Sequence, residues 1–174
     1  PPTAAVKTAP ASWVAATYIT DDTQRLSALA TEQYLEFQSR TIEEARRYNE
    51  VQGLTPDTAR SLLLIKLGSA MPAPKDAGKR TELAKIATKM EANYGSAKWC
   101  SKDAAGNERC LPLQDIEKII DNTDFSHNPK AIADAWVGWH ATSKPIRQDY
   151  QRFVELMNEG AKEVGFADTG ELWR

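Results

Sequence analysis

Several signatures that would identify a class of function are missing from this 174-residue sequence. Lysine and arginine number 22 against 24 aspartate and glutamate, so the chain lacks the excess of positive charge that nucleic-acid binding requires. No run approaches the roughly 18 consecutive apolar residues of a membrane span. The composition therefore predicts neither a nucleic-acid partner nor a membrane span.

Histidine and cysteine are scarce as well, with two of each. Neither His127 nor His140 belongs to a His-Glu-x-x-His zinc motif, and there is no glycine-rich phosphate loop. Cys100 and Cys110 enclose nine mostly polar residues, a spacing that fits a disulfide-closed surface loop and fits two free thiols nearly as well. Two thiolates with no further Cys or His nearby cannot complete a tetrahedral zinc site. We therefore expect no catalytic residue and no metal ligand in this chain.

What the sequence does have is helical periodicity. It predicts an all-α fold, because no segment sustains the alternation of a half-buried strand. A flexible leader is predicted over residues 1–10, rich in Pro and Ala, followed by a helical region over 11–174 that is long enough for one domain. Helices are predicted over 11–18, 22–49, 56–71, 76–94, 113–120, 129–140 and 145–164.

The apolar spacing also predicts which faces are buried. The segment around Leu62–Leu67 is apolar on nearly all sides, which places it at the centre of the core. Gly53, Gly95 and Gly165 are predicted to end the helices that precede them. Buried stripes are predicted on the second and last helices: Leu26, Ala30, Tyr34, Phe37, Thr41, Ala45 and Tyr48 on the second, and Ile146, Tyr150, Phe153, Val154, Met157, Ala161 and Val164 on the last.

Four of the five tryptophans divide into two groups. Trp136 and Trp139 lie three residues apart on one predicted helix, which favours a role as core anchors. Trp13 and Trp173 lie outside the long periodic helices, so we expect them to line a cleft. The acidic residues are spread along helix faces and are most simply solvated.

Four segments together resemble the angiotensin-converting enzyme family of zinc peptidyl-dipeptidases. Ala135-Trp-Val-Gly-Trp-His140 is similar to the family's Ala-Trp-Glu-Gly-Trp-Arg, and Phe153-Val-Glu-Leu-Met-Asn158 to Tyr-Val-Glu-Leu-Ile-Asn. Gly165-Phe-Ala-Asp-Thr-Gly-Glu-Leu-Trp-Arg174 resembles Gly-Tyr-Val-Asp-Ala-Gly-Asp-Ser-Trp-Arg, and Met90-Glu-Ala-Asn-Tyr94 resembles Met-Glu-Thr-Thr-Tyr. The resemblance runs from about Trp13 to Arg174, in the family's order and spacing.

The resemblance implies a place in a larger fold. The chain would supply the N-terminal lid and channel-wall helices of a large helical, gluzincin-like metallopeptidase with a deep central channel. That enzyme would release dipeptides from the C-termini of peptide substrates, with zinc held by residues beyond this chain. Residues 11–174 would then be the N-terminal helical portion of one larger peptidase domain, and the rest of that domain would be a partner of this segment. Cys100 and Cys110 would form the family's small disulfide.

Two departures from the family pattern concern candidate site residues. His140 stands where the animal enzymes have an arginine that binds chloride, and a histidine holds an anion only when protonated, with an ordinary pKa of about 6.5. Chloride is thus a second expected ion, with weak activation near neutral pH. Gln114 stands where animal members place an acidic residue near a prime-side subsite, so a weaker preference for basic side chains is expected. Trp13, Gln114 and Trp173 are the candidates for the substrate channel.

The start of the chain indicates a compartment, and the function that the resemblance implies has one alternative. The Ala/Pro/Thr-rich start favours a bacterial-type member in the periplasm, or a secreted protein. The alternative is a free-standing all-helical binding or interaction module without catalysis.

Overall fold

The computed structural model describes residues 4–102 and 105–174. The all-α prediction is confirmed, with one short hairpin in addition. The elements in chain order are α1 (Ala4–Thr17), α2 (Asp21–Arg46), α3 (Pro56–Leu67), α4 (Ala77–Ser96), β1 (Trp99–Lys102), β2 (Glu108–Leu111), α5 (Leu113–Asn122), α6 (Pro129–Ala141), a 3₁₀ helix (Lys144–Ile146), α7 (Arg147–Glu163) and α8 (Thr169–Leu172).

The first helix begins earlier than predicted. It starts at Ala4 and contains Pro10, so residues 4–10 of the predicted leader belong to α1. Residues 1–3 lie outside the described residues. The mobility of this end of the chain stays a prediction.

Side-chain caps set several of the helix boundaries. The Thr20 hydroxyl accepts from the Thr23 backbone N–H, and Thr23 reaches back to the Thr20 N–H, which together make a capping box at the start of α2. Thr55 caps α3, with Pro56 as the first helical residue. Asn128 caps α6 in the same way. These caps satisfy backbone donors that a helix leaves without intrahelical partners.

The three predicted glycine stops have different outcomes. Gly165 ends α7 with φ +95° in a Schellman motif, where its N–H donates to the Lys162 carbonyl and the Phe166 N–H donates to the Ala161 carbonyl. Gly53 has φ +78° but lies in the connection after α2, which ends at Arg46. The prediction for Gly95 is wrong, because it lies inside α4 and lets the Ile19 side chain approach: a Cβ there would be 2.8 Å from Ile19 Cδ1.

Two hydrophobic clusters hold the helices together. The larger joins α2, α4 and α7, and the smaller joins the hairpin, α5 and α6. A buried glycine lets α7 approach the segment before α4, since a Cβ on Gly160 would lie 2.5 Å from the Pro72 carbonyl oxygen. The buried members are Leu35, Leu83, Ala84, Ile86, Leu156 and Met157 in the larger cluster, and Leu111, Ile116 and Ala135 in the smaller.

The predicted buried stripe of α2 is mostly wrong. Its buried apolar residues are Ala28, Leu35, Ile42 and Ala45, of which only Ala45 was predicted. Leu26 and Phe37 are exposed instead. Successive helical residues are about 100° apart, so assigning the stripe one position away points it past the core. On α7 the stripe is confirmed at Met157 and Ala161, whereas Tyr150 is exposed.

The central position predicted for α3 is also wrong. None of its residues is buried, and Leu63 and Leu64 are 50% and 55% exposed. Among the described residues α3 packs chiefly against α2, which covers only one side of it. A helix that is apolar on nearly all sides would be buried only if a second neighbour covered the side that faces away from α2.

The hairpin brings the two cysteines face to face. β1 and β2 pair antiparallel with Cys100 opposite Cys110, and the two form a disulfide. Trp99 of β1 packs over α6, where a Cβ on Gly138 would lie 2.2 Å from Trp99 Nε1. Only glycine fits this position, which lies directly before Trp139 on α6.

Candidate functional site

An aromatic groove lies between α1 and α4 and contains Trp13, one of the predicted channel residues. It has a volume of about 560 Å³ and is predominantly apolar. Trp13 forms part of its wall from α1 and is 64% exposed. The groove is also lined by Ile19, Thr88, Glu91, Tyr94 and Gly95.

Glu91 is the carboxylate of this groove. The side chain as a whole reaches solvent, yet the protein atoms packed around it desolvate the carboxylate and raise its pKa. A carboxylate in a concave, mostly apolar site can orient a ligand through a charged hydrogen bond. Sequence reasoning did not single out Glu91, although it lies inside the Met90–Tyr94 motif.

Tyr94 connects the groove to α6. Its ring meets the Trp139 ring edge to face, with centroids 5.9 Å apart and an interplanar angle of 77°. The Asn93 side-chain amide donates to the Thr142 carbonyl at 3.3 Å, which fixes the end of α6 against the end of α4. Trp139 is therefore a packed anchor, as predicted. Trp136 is not, because it is 58% exposed.

His140 follows Trp139 on the last turn of α6. Its ring lies against the Trp136 ring at a tilt of 36° with centroids 4.2 Å apart, and its Nδ1 donates to the Trp136 carbonyl at 2.7 Å. The carbonyl can only accept, so Nδ1 carries the proton and Nε2 is the atom left to meet a ligand. The residue is exposed, and the last carbonyls of a helix carry negative partial charge that disfavours an anion nearby.

Two of the predicted channel residues lie apart from the groove. Gln114 occupies the exposed first turn of α5, and Trp173 caps α8 with 62% of its surface exposed. Neither lines the aromatic groove. The fold thus brings Trp13 close to Glu91 and Tyr94 and leaves Gln114 and Trp173 on other surfaces.

The second histidine sits in a polar turn that superficially resembles a catalytic triad. His127 Nδ1 lies 2.6 Å from Asp124 Oδ2 and 2.9 Å from the Ser126 hydroxyl. Hydrogen bonds from Ser126 and then from His127 lower the pKa of Asp124. A triad needs the serine and the carboxylate on opposite ring nitrogens, whereas both meet Nδ1 here. The turn therefore has a structural role.

One group of potential metal ligands occurs among the described residues. Cys100, Glu108 and Cys110 place a ligand atom each within 4.8 Å of one another. The disulfide consumes both thiolates, and a thiolate is the form that binds metal. The donor set that remains does not fit a zinc ion.

In the described part of the chain, no helix is long and apolar enough to cross a membrane.

Comparison with known proteins gives one consistent result. A model of the family described as Peptidase_M2, angiotensin-converting enzyme, matches residues 3–174. The chain is 32% identical over 169 residues to the angiotensin-converting enzyme of Sus scrofa and 29% identical over 167 residues to that of Bos taurus. Each alignment covers 94% of this chain and 12% of the relative.

An invertebrate relative gives the same picture. The angiotensin-converting enzyme of Haematobia irritans exigua is 29% identical over 167 residues, which is 93% of this chain and 26% of that protein. The chain thus spans a small part of the relatives it matches.

Proposed function

The chain belongs to the angiotensin-converting enzyme family, and we propose on that premise that it is the N-terminal portion of a zinc-dependent peptidyl-dipeptidase. The observation that carries this proposal is the family match over residues 3–174. The complete enzyme would release dipeptides from the C-termini of peptides, with zinc and a zinc-activated water supplied by residues outside this chain. The free-standing helical module, our alternative, is not favoured, because the match covers nearly the whole chain.

Within that enzyme the chain would form the lid and one wall of the substrate channel. The aromatic groove supports this role, because Trp13, Tyr94 and Glu91 offer two aromatic surfaces and one carboxylate to a peptide. The exposed leucines of α3 support it as well, since contiguous exposed apolar surface marks a contact with another part of a protein. Gln114 and Trp173 would contribute to other parts of the channel.

His140 would govern the response to chloride. It donates to a backbone carbonyl through Nδ1 and lies at a helix C-terminus, two features that make it a poorer anion ligand than an arginine fork. We expect weak chloride activation at this site near neutral pH. A strong chloride dependence of kcat/KM at pH 8 that His140→Ala abolishes would contradict this.

The disulfide favours an oxidising compartment, either the bacterial periplasm or the outside of the cell. Thiol alkylation of whole cells before lysis would test this. Cys100 and Cys110 should resist alkylation unless a reductant is added first.

Immunodepletion tests the main proposal. Antibodies raised against this chain should remove a chelator-sensitive activity that releases C-terminal dipeptides from an extract of the source organism. They should also retain a polypeptide larger than the 19.3 kDa of this chain. Retention of a 19.3 kDa protein alone, with the peptidase activity left in the extract, would overturn the proposal.

A further inference from the structure

A second cavity lies between α2 and α4, with a volume of about 500 Å³. We call it the basic cleft, defined by Arg25, Ala28 and Glu32 of α2 and Lys85, Thr88 and Lys89 of α4. Ala28 and Thr88 are buried and form its floor, while the three cations are exposed at its rim. The volume is within the range of small-ligand sites.

Charge distinguishes this cleft from the rest of the chain. The chain has a net charge of −2, yet three cations face one carboxylate here. Lys89 pairs with Asp149 at 2.6 Å, and Glu32 accepts from the Thr81 hydroxyl at 2.6 Å. Arg25 and Lys85 have no side-chain partner among the described residues, and Glu32 is the one carboxylate of the cleft that faces them, so the cleft keeps a net positive charge.

This arrangement does not help the fold. Lys85 and Lys89 are four residues apart on α4, where like charges repel and destabilise a helix by a few tenths of a kcal/mol. Arg25 faces them from α2 across the same cleft. A ligand with a carboxylate would relieve the repulsion and pair with the free cations.

The cleft adjoins the aromatic groove, since Gln24 and Thr88 line both cavities. From Thr81 to Gly95 the two cavities follow α4 for about 21 Å, at roughly 1.5 Å per helical residue. An extended peptide of about six residues spans that distance. The carboxylate of Glu91 at the far end repels an acidic side chain, whereas the basic cleft attracts one.

We propose that the basic cleft binds the acidic side chain of a peptide whose neighbouring apolar residues lie in the aromatic groove. This inference rests on the proposed function and adds a substrate feature to it. The site would prefer peptides that carry an aspartate or glutamate near one end and an aromatic or apolar residue near the other. Arg25 and Lys85 are the residues that recognise the carboxylate.

The test is direct binding to the 174-residue chain, without metal and without cleavage. The probes are dye-labelled hexapeptides with both termini blocked, carrying phenylalanine near one end and either glutamate or glutamine near the other, in both orders. At low salt we expect one of the glutamate peptides to bind at least about threefold more tightly than its glutamine counterpart. Raising the salt concentration should remove the preference.

Variants assign the preference to the cleft. Arg25→Gln with Lys85→Gln should abolish it while keeping the affinity for the glutamine peptide. Lys162→Gln, a neutralisation of an exposed lysine on α7, is the matched control and should keep it. Far-UV circular dichroism verifies that each variant is folded, and the single variants replace the double one if it is not.

Three results would overturn the inference: no binding of any probe, equal affinity for the glutamate and glutamine peptides, or an equal loss of preference in Lys162→Gln. None of them concerns dipeptide release. The depletion experiment above therefore fails or succeeds independently of this one.

Discussion

Helices α3 and α4 show opposite relations between composition and burial. The α4 sequence is rich in charge, with Lys79, Glu82 and Lys85 among its residues, yet Leu83 in its centre is fully buried. The α3 sequence is largely leucine and isoleucine in its second half, yet it buries no residue. Burial therefore depends on how many neighbours a helix has, and α4 has packed neighbours in α2 and α7 whereas α3 packs chiefly on α2.

The proposed function explains why α3 is exposed although its sequence is apolar. A helix with an apolar face on every side requires neighbours on every side. Since the described residues cover α3 from one side, the remaining face is available to another part of a peptidase domain. The two helices should then differ in energetics as they differ in burial.

Leucine truncation should give the largest contrast. Leu156→Ala, at a fully buried position facing α4, should lower the free energy of unfolding of this chain by about 2–5 kcal/mol because it leaves a cavity. Leu64→Ala on α3 should cost well under half as much, because its side chain is already more than half exposed. Urea unfolding followed by circular dichroism measures both, and equal costs would refute the contrast.

Removing the disulfide should have the next largest effect. Cys100→Ser with Cys110→Ser should lower the free energy of unfolding by about 2–3 kcal/mol, since the bridge closes a short loop in the unfolded chain. Hydrogen exchange should localise the opening to the hairpin and α6 and leave α4 protected. Loss of protection throughout α4 would mean that the two hydrophobic clusters are not independent.

Gly160 tests how tightly α7 approaches the segment before α4. Gly160→Ala should destabilise the chain by roughly 1–3 kcal/mol, because the new methyl meets the Pro72 carbonyl at 2.5 Å. Gly78→Ala is the control, with only the flexible Asp76 carboxylate nearby. A Gly160→Ala variant as stable as the control would show that this contact is looser than described.

Two carboxyls of α4 should give the smallest effects, of opposite sign. Hydrogen bonds from Arg152 at 2.8 and 2.9 Å lower the pKa of Glu82, so its contribution is present at neutral pH and is lost as pH falls through its folded pKa. Glu82→Gln should therefore destabilise the chain at pH 7, by less than about 1 kcal/mol because the pair is partly exposed. The difference from the unchanged protein should vanish in acid.

Burial raises the pKa of Glu91, so ionisation costs the folded state stability as pH rises. Glu91→Gln should stabilise the chain at pH 7, and the gain should disappear below the ordinary glutamate pKa of about 4.3. Urea midpoints at pH 7 and pH 4 measure both variants. If Glu82→Gln and Glu91→Gln changed the free energy of unfolding at pH 7 in the same direction, the opposite pKa shifts of the two carboxyls would be contradicted.

Sequence reasoning predicted most of the helices, because caps and breaks are local. Thr55 with Pro56, and Asn128 with Pro129, define helix starts through neighbouring residues alone. The hairpin was missed because two four-residue strands are too short to show alternation. The disulfide came only from the family resemblance, since the spacing of Cys100 and Cys110 allowed free thiols as well.

Burial was harder to predict because it depends on contacts between distant segments. The α2 stripe was assigned one position away from Leu35 and Ile42, and α3 was placed in the core on composition alone. Among candidate site residues, Trp13 was predicted to line a cleft and lines the aromatic groove, but Glu91 of the same groove was not singled out. The Glu91 carboxylate is desolvated in the groove that α1 forms with α4, and a single sequence does not reveal this contact between distant segments.

The most direct test of the account is the accessibility of α3 in the intact gene product. Leu64→Cys should react readily with a thiol reagent in the 174-residue chain and should be protected in the protein that the depletion experiment retains. Glu44→Cys, at a charged position on α2, is the control for reagent access. Protection of Leu64→Cys alone would support α3 as an internal contact of a larger peptidase domain, and equal reactivity of Leu64→Cys in both proteins would contradict it.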